Sequence, residues 1–352
     1  MIKPQKLSDR FAISAVKAIF SFSILLWASV ALGFGVKAPP IQVTNSSTDR
    51  DQNYDALLHD AAFLPGSDPV YPSEDNFIAD VRSANVNGGH PGIGSGTVVG
   101  DRLIVSAAHI FCNLKTGQWK GAKGRGKPSS SEIRRNTRIT VNGCGDQRFP
   151  VEDIIIRGNC DPNERADGES TITREPTLIV LKEPVCSEVQ RQSVYALDDR
   201  LVNNFLVDED NRPVNQIRVV GNYKIEEEDL DQIASSANES QPMVVDPEKS
   251  RQYSSEGRVV RISGFDLKTR SWFRGDVSPG VLGHMSNTNK GASGGGVFLA
   301  PGNDGVEYLV GVHVGTGSAH LTGGEARGFQ DMNLMILIDN EFRELIRNHP
   351  AR

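Results

Sequence analysis

Two stretches of this chain carry residue types at spacings that could perform nucleophilic chemistry. Lys290-Gly291-Ala292-Ser293-Gly294-Gly295-Gly296-Val297-Phe298 sets a serine among glycines, immediately before an apolar run that reads as a strand. Glycine takes φ > 0 at no steric cost and lets backbone come close to a ligand. The N–H groups of Gly291 and Ser293 can then converge on one point, as a developing oxyanion requires. A serine hydroxyl is a poor nucleophile near neutral pH, so it needs a base, and the base needs an orienting group. His109, 184 residues upstream, is the candidate base. Gly94-Ser95-Gly96-Thr97-Val98-Val99 and Leu103-Ile104-Val105 are joined by Gly100-Asp101, a hairpin signal. They lead into Ser106-Ala107-Ala108-His109, where small residues allow the ring to turn inward. Singly, such a serine is a turn residue and such a histidine a structural one. Together they suggest a proton-transfer pair.

The pieces Gly-Ser-Gly-Thr…Val-Ser-Ala-Ala-His and Gly-Ala-Ser-Gly-Gly-Gly, in that order, resemble the two signature segments of chymotrypsin-like serine peptidases. The resemblance covers roughly residues 77 to 345, with specific motifs at both ends. It implies two packed six-stranded barrels with the site in the cleft between them. It also implies an acid between the signatures, at the start of a buried strand. The matching run is Glu175-Pro176-Thr177-Leu178-Ile179-Val180-Leu181, so Glu175 stands where the family has Asp. A glutamate is one methylene longer, so the strand must sit back by ~1.5 Å or the side chain must fold for a ~2.8 Å bond to the imidazole. Asp167 and Asp161 are the alternative carboxylates. Ala292 also departs from the trypsin pattern, in which Asp precedes the serine and pairs with a freed N-terminus; that activation switch is expected to be absent.

Thr288, five residues before Ser293, and the strand Val310-Gly311-Val312-His313-Val314-Gly315 resemble bacterial glutamyl endopeptidases and viral relatives that cut after Gln. In those families the Thr hydroxyl and the His ring donate to the side-chain oxygen of the residue before the scissile bond. A buried donor pair facing an apolar side chain is left unpaired, which penalises that substrate. A histidine on a barrel strand can also simply bond a neighbouring carbonyl, and the sequence leaves both readings open.

The elements that must position these groups read as short strands between Gly, Asn and Asp turns. Candidates are 93–99, 102–107, 136–142, 149–157, 176–182, 216–223, 257–265, 280–286, 296–300, 307–314 and 328–333. Helix periodicity is strong only near the end, where Leu337, Phe342, Leu345 and Ile346 space like one face. The expected class is all-β, a barrel or sandwich with a C-terminal helix. Expected domains are an N-terminal barrel over 76–190 and a C-terminal barrel over 191–352, joined by a crossing segment at 185–215. Residues 226–256, acidic and poor in apolar side chains, read as a surface insertion.

The 352 residues, 38% apolar, suffice for a large core, and the net charge of −6 gives no invitation to nucleic acid. The locally basic stretch 120–135 lacks interleaved aromatics and reads as a solvated loop. Lys3, Lys6, Arg10 and Lys17 precede a 19-residue uncharged run, 18–36, that contains Ala31-Leu32-Gly33. This reads as an export signal over 1–35 or, uncleaved, as a membrane anchor, a span needing ~20 residues. Either way the rest is expected outside the cytoplasm, periplasmic or secreted, behind a leader at 36–75. Cys112, Cys144, Cys160 and Cys186 then favour disulfides, expected as Cys112–Cys144 and Cys160–Cys186. No C-x-x-C pair suggests zinc, and neither metal nor cofactor is expected. The sequence reads as an exported serine endopeptidase with protein or peptide substrates. The alternatives are an inactive binding module on the same scaffold or a membrane-tethered interaction protein.

Overall fold

In a computed structural model, the described residues are 70–86, 91–114, 116–123, 126–161, 174–196, 216–223, 251–266, 280–286, 288, 291–299, 307–321 and 329–351. The expected export segment, Asp167, and most of the stretches read as a leader and as an acidic insertion lie outside them.

Strands dominate. The first sheet is built from β2 (Ile78–Ser83), β3 (Gly92–Gly100), β4 (Leu103–Ala107), β7 (Thr137–Val141), β8 (Arg148–Phe149), β9 (Val151–Ile156) and β10 (Pro176–Leu181), in the order β8-β7-β2-β3-β4-β10-β9. β8 and β9 are one run of chain interrupted at Pro150. Proline has no N–H to give a ladder, so the strand bends there. One end pairs with β7 through Ile139↔Phe149, the other with β10 through Thr177↔Ile156. The bent strand therefore closes a ring of six.

The second sheet holds β12 (Gln216–Tyr223), β13 (Arg251–Asp266), β14 (Val281–His284), β15 (Gly296–Leu299), β16 (Tyr308–Leu321) and β17 (Phe329–Leu337). Pairings run β13-β12-β15-β16-β17-β14, and β14 pairs back to β13. This ring too has six strands and is closed. Short accessory strands are β1 (Val70–Pro72) on β13, β5 (Cys112–Asn113) on β6 (Gln118–Trp119), and β11 (Ser193–Val194) on β16. The chain has the all-β, two-barrel architecture of the chymotrypsin-like type.

The pattern of burial explains the closure. β4 and β10 are buried along their whole length, with Leu103, Ile104, Val105, Leu178 and Ile179 fully enclosed. Each such side chain contributes about 1.5–3 kcal/mol on leaving water. Both strands carry apolar residues at consecutive positions because both of their faces are covered. β12 behaves alike: Val219 packs in one apolar cluster and Val220 in another. The two barrels meet through Phe77 against Phe298, 5.4 Å between ring centroids, and through Arg218, which binds both Asp75 and Glu307.

Several expectations need correction. β2, with its IADVRS sequence, was not foreseen, and β13 begins at Arg251, so the end of the expected insertion 226–256 is barrel strand. The basic stretch holds helix α1 (Ser130–Asn136), started by a capping box of Ser129 and Glu132. The terminal helix, α2 (Asn340–Asn348), is capped by Asp339 and buries Phe342 and Ile346; Leu337 belongs to β17 instead. The cysteines pair Cys112–Cys160 and Cys144–Cys186, with Cα–Cα distances of 6.3 and 5.8 Å. The expected Cys112–Cys144 and Cys160–Cys186 links followed order along the chain. The real ones follow space: Cys160 ends the turn after β9, beside the His109 turn.

Candidate active site

His109 lies in a single helical turn, Ala108–Ile110, directly after β4. Antiparallel pairing of β4 with β10 sets Ala107 opposite Pro176, which brings Glu175 level with Ala108. The Ala108 N–H donates to the Glu175 carbonyl at 2.7 Å. A residue before proline is held extended, so the Glu175 backbone is fixed on both sides. Its side chain is fully buried, and Oε2 accepts from the His109 backbone N–H at 3.1 Å and meets ring Nδ1 at 2.8 Å. The glutamate side chain thus reaches the ring at hydrogen-bond distance despite its extra methylene. An ionised carboxylate only accepts, so Nδ1 carries the proton and Nε2 is left with a lone pair. Asp161 is exposed, and it is Glu175 that holds the ring.

Ser293 sits in the turn just before β15 and is half-buried. The peptides around it are clamped in succession. The Ser95 hydroxyl meets the Gly291 carbonyl at 2.7 Å; the Ala292 carbonyl accepts from Gly295 N–H at 2.7 Å. The Ser293 carbonyl accepts from Ser95 N–H, and Gly294 N–H donates to the His313 carbonyl, both at 2.7 Å. In a trans peptide C=O and N–H point opposite ways, so binding the Ala292 carbonyl also aims the Ser293 N–H. Gly291 (φ 98°) and Gly294 (φ 82°) lie where a side chain would be strained. A Cβ on Gly294 would come within 2.6 Å of the Ser106 hydroxyl and 2.8 Å of the Ala107 nitrogen. The serine turn therefore packs onto β4, the strand that leads into the His109 turn.

Thr288 and His313 are both buried, each 3% exposed. His313 Nδ1 lies 3.1 Å from Nε2 of His284, a residue to which the sequence reading gave no role. Around them Asn333 donates to the Ser286 carbonyl and accepts from Thr316, both at 2.6 Å. Burial pushes the His284 ring down to about 3 and lowers His313 well below the usual imidazole value, helped by the neighbouring His284. Both rings are neutral at pH 7. The signal that could have found this seam is the alternation His284, Ser286, Thr288, polar side chains at every second position from the end of β14 onward. Among the described residues, no group of three or more His, Cys, Asp or Glu side chains could hold a metal ion.

No protein-family model matches the chain, and no curated protein matches it. Among solved structures it is similar to one described as Glu endopeptidase in complex with MPD. That match has 16% identity over 82% of this chain and 99% of the other, at a TM-score of 0.45. Overlap at that level leaves the site's own geometry to carry any functional reading.

Proposed function

We propose that the protein is an exported serine endopeptidase in which His109 takes the proton from Ser293 and Glu175 holds His109 in its productive tautomer. The observation that supports this best is the 2.8 Å contact between a fully buried Glu175 and His109 Nδ1. A buried carboxylate is costly unless bonded, and spending it on this ring nitrogen frees the other one to act as base. The Gly291 and Ser293 N–H groups bind the oxyanion of the tetrahedral intermediate. Collapse of that intermediate releases the amine, which takes the proton from His109; water then repeats the cycle on the acyl-serine.

The pocket reading follows from the polar seam. His284 Nδ1 has no partner among the described residues. An unpaired lone pair there is easier to bury than an unpaired N–H, so His284 carries its proton on Nε2 and donates to His313 Nδ1. His313 then keeps its own proton on Nε2. The ring also hydrogen-bonds the Leu334 backbone; exchanging that bond for substrate, it offers a donor, with Thr288, to a Glu or Gln side chain before the scissile bond. Labelling by a fluorophosphonate probe tests the nucleophile: wild type should label and Ser293→Ala should not, and persistent labelling of the variant removes Ser293 from the role. For the pocket, Glu and Gln peptides should be cleaved in preference to Lys and Phe peptides; a preference for Lys or Phe ends the Thr288 and His313 assignment.

A further inference from the structure

Ser95 is fully buried on β3 of the first barrel and grips the serine turn of the second at two points. Its hydroxyl meets the Gly291 carbonyl at 2.7 Å, and its backbone N–H donates to the Ser293 carbonyl at 2.7 Å. The same hydroxyl accepts from the Asn222 N–H of β12 at 2.7 Å. A hydroxyl has one proton to give and lone pairs to receive, so donation to Gly291 and acceptance from Asn222 satisfy it together. Ser106 in turn donates to the Ser95 carbonyl at 2.6 Å, tying the residue to β4 and hence to the His109 turn. The geometry points to Ser95 as a positioning residue for the proposed oxyanion donors, acting from the opposite barrel. This rests on the peptidase reading above.

The oxyanion donors are the N–H groups of Gly291 and Ser293. Turning the Gly291–Ala292 plane changes ψ of Gly291 and swings the Gly291 N–H relative to Ser293. Glycine at φ 98° has little intrinsic preference to resist that turn. The Ser95 hydroxyl meets the Gly291 carbonyl and holds the plane. The Ser95 N–H fixes the Ser293–Gly294 plane, so the intervening Ser293 N–H is bracketed on both sides. Ser95 touches neither substrate nor reacting atoms; it sets where the donors point before charge develops. Preorganised donors are effective because they need no reorganisation at the moment of reaction.

Ser95→Ala removes the hydroxyl and leaves the backbone bond to Ser293. Its kcat should fall about 30-fold, less than the ~100-fold or more that follows loss of an oxyanion donor itself, with KM within about 3-fold. A peptide aldehyde forms a tetrahedral adduct whose oxygen enters the oxyanion site, and it should lose inhibitory strength in proportion to kcat. The matching peptide alcohol forms no adduct and should inhibit as before. Ser95→Cys keeps a weak donor and acceptor and should fall between wild type and the Ala variant; it also serves as the readout if the Ala variant does not fold. An Ala variant with full kcat overturns the proposal, as does equal weakening of aldehyde and alcohol, since that marks general damage to the pocket. A wild-type protein that neither labels nor turns over any peptide overturns the peptidase reading and this one with it. Normal wild-type turnover with an unimpaired Ala variant overturns the role of Ser95 alone.

Discussion

The two barrels solve different problems with the same number of strands. The first lines its described interior chiefly with Ile, Leu, Val and Phe, its buried polar groups being mainly hydroxyls such as Ser95, Thr97, Ser106 and Thr177, and it sets the Glu175–His109 hydrogen bond where β4 ends and β10 begins. The second encloses His284, Ser286, Thr288, His313 and Asn333, all buried. A chiefly apolar barrel gives rigidity to a group that must not move. A barrel with polar side chains inside gives up packing energy for directional bonds. Under the peptidase function proposed above, the difference gives the first barrel the handling of the proton and the second the recognition of substrate, and it can be broken from either side.

The largest effect should come from the first barrel's acid. Glu175→Gln keeps shape and volume but offers an amide in place of an obligate acceptor. The ring can then adopt the other tautomer, with its proton on Nε2 where the base is needed. We expect kcat to fall about 10⁴-fold, by analogy with loss of the triad acid elsewhere. Glu175→Asp keeps the charge but shortens the reach, and should recover part of that loss. Steady-state rates for both variants check this; a Gln variant within a factor of ten of wild type would separate Glu175 from catalysis.

The disulfides sharpen the same contrast within the first barrel. Cys112–Cys160 closes 48 residues and Cys144–Cys186 closes 42. Chain-entropy reasoning gives each about 4 kcal/mol of stability, nearly the same for the two. Their positions differ, because Cys112 follows the His109 turn directly and Cys144 lies on the turn after β7. Replacing either pair with serines should lower the denaturation midpoint by similar amounts. Only the Cys112/Cys160 variant should also lose kcat, about 10-fold, because freeing that turn lets the base stray from its productive geometry. Equal kcat losses in the two variants would mean that the bridge at Cys112 has no special hold on the turn.

Much of this was legible in the residues. His109, Ser293 and Glu175 each sit at an element boundary, where small residues, glycines or a proline leave a local mark; His109 and Ser293 emerged from type and spacing, and Glu175 from the resemblance to the chymotrypsin-like signatures. The all-β class followed from the repeated short apolar runs, and the two six-stranded barrels from that same resemblance. What the sequence hid is long-range. The cysteine pairing depends on β9 returning beside the His109 turn, which order along the chain does not encode. β2 was missed because Asp80 and Arg82 break its apolar run, although Ile78, Ala79 and Val81 are buried. Ser95 read only as part of the strand run 93–99, and the role proposed for it exists only once β12 and the serine turn come to meet it. His284 bore no local signal strong enough to separate it from any buried histidine.

The smallest effect we predict concerns that histidine and asks whether the second barrel's interior is as closed as it looks. In the unfolded chain His284 titrates near 6.5; in the fold, burial holds it down to about 3. Between those values the unfolded state binds a proton that the native state refuses. Stability therefore rises with pH across that window and is lost as pH falls below about 6.5. From pH 7.5 to pH 5 the loss from His284 alone amounts to about 2 kcal/mol. His313, shifted in the same direction, adds to it. Urea unfolding at the two pH values should show wild type losing about 2 kcal/mol more than His284→Gln, which has no proton to take up at that position. The Gln variant should also relax the choice between Glu and Phe peptides, because His313 no longer has a neighbour to fix its tautomer. If wild type and variant respond alike to acid, water reaches His284, and the second barrel is not the sealed polar chamber that the comparison with the first requires.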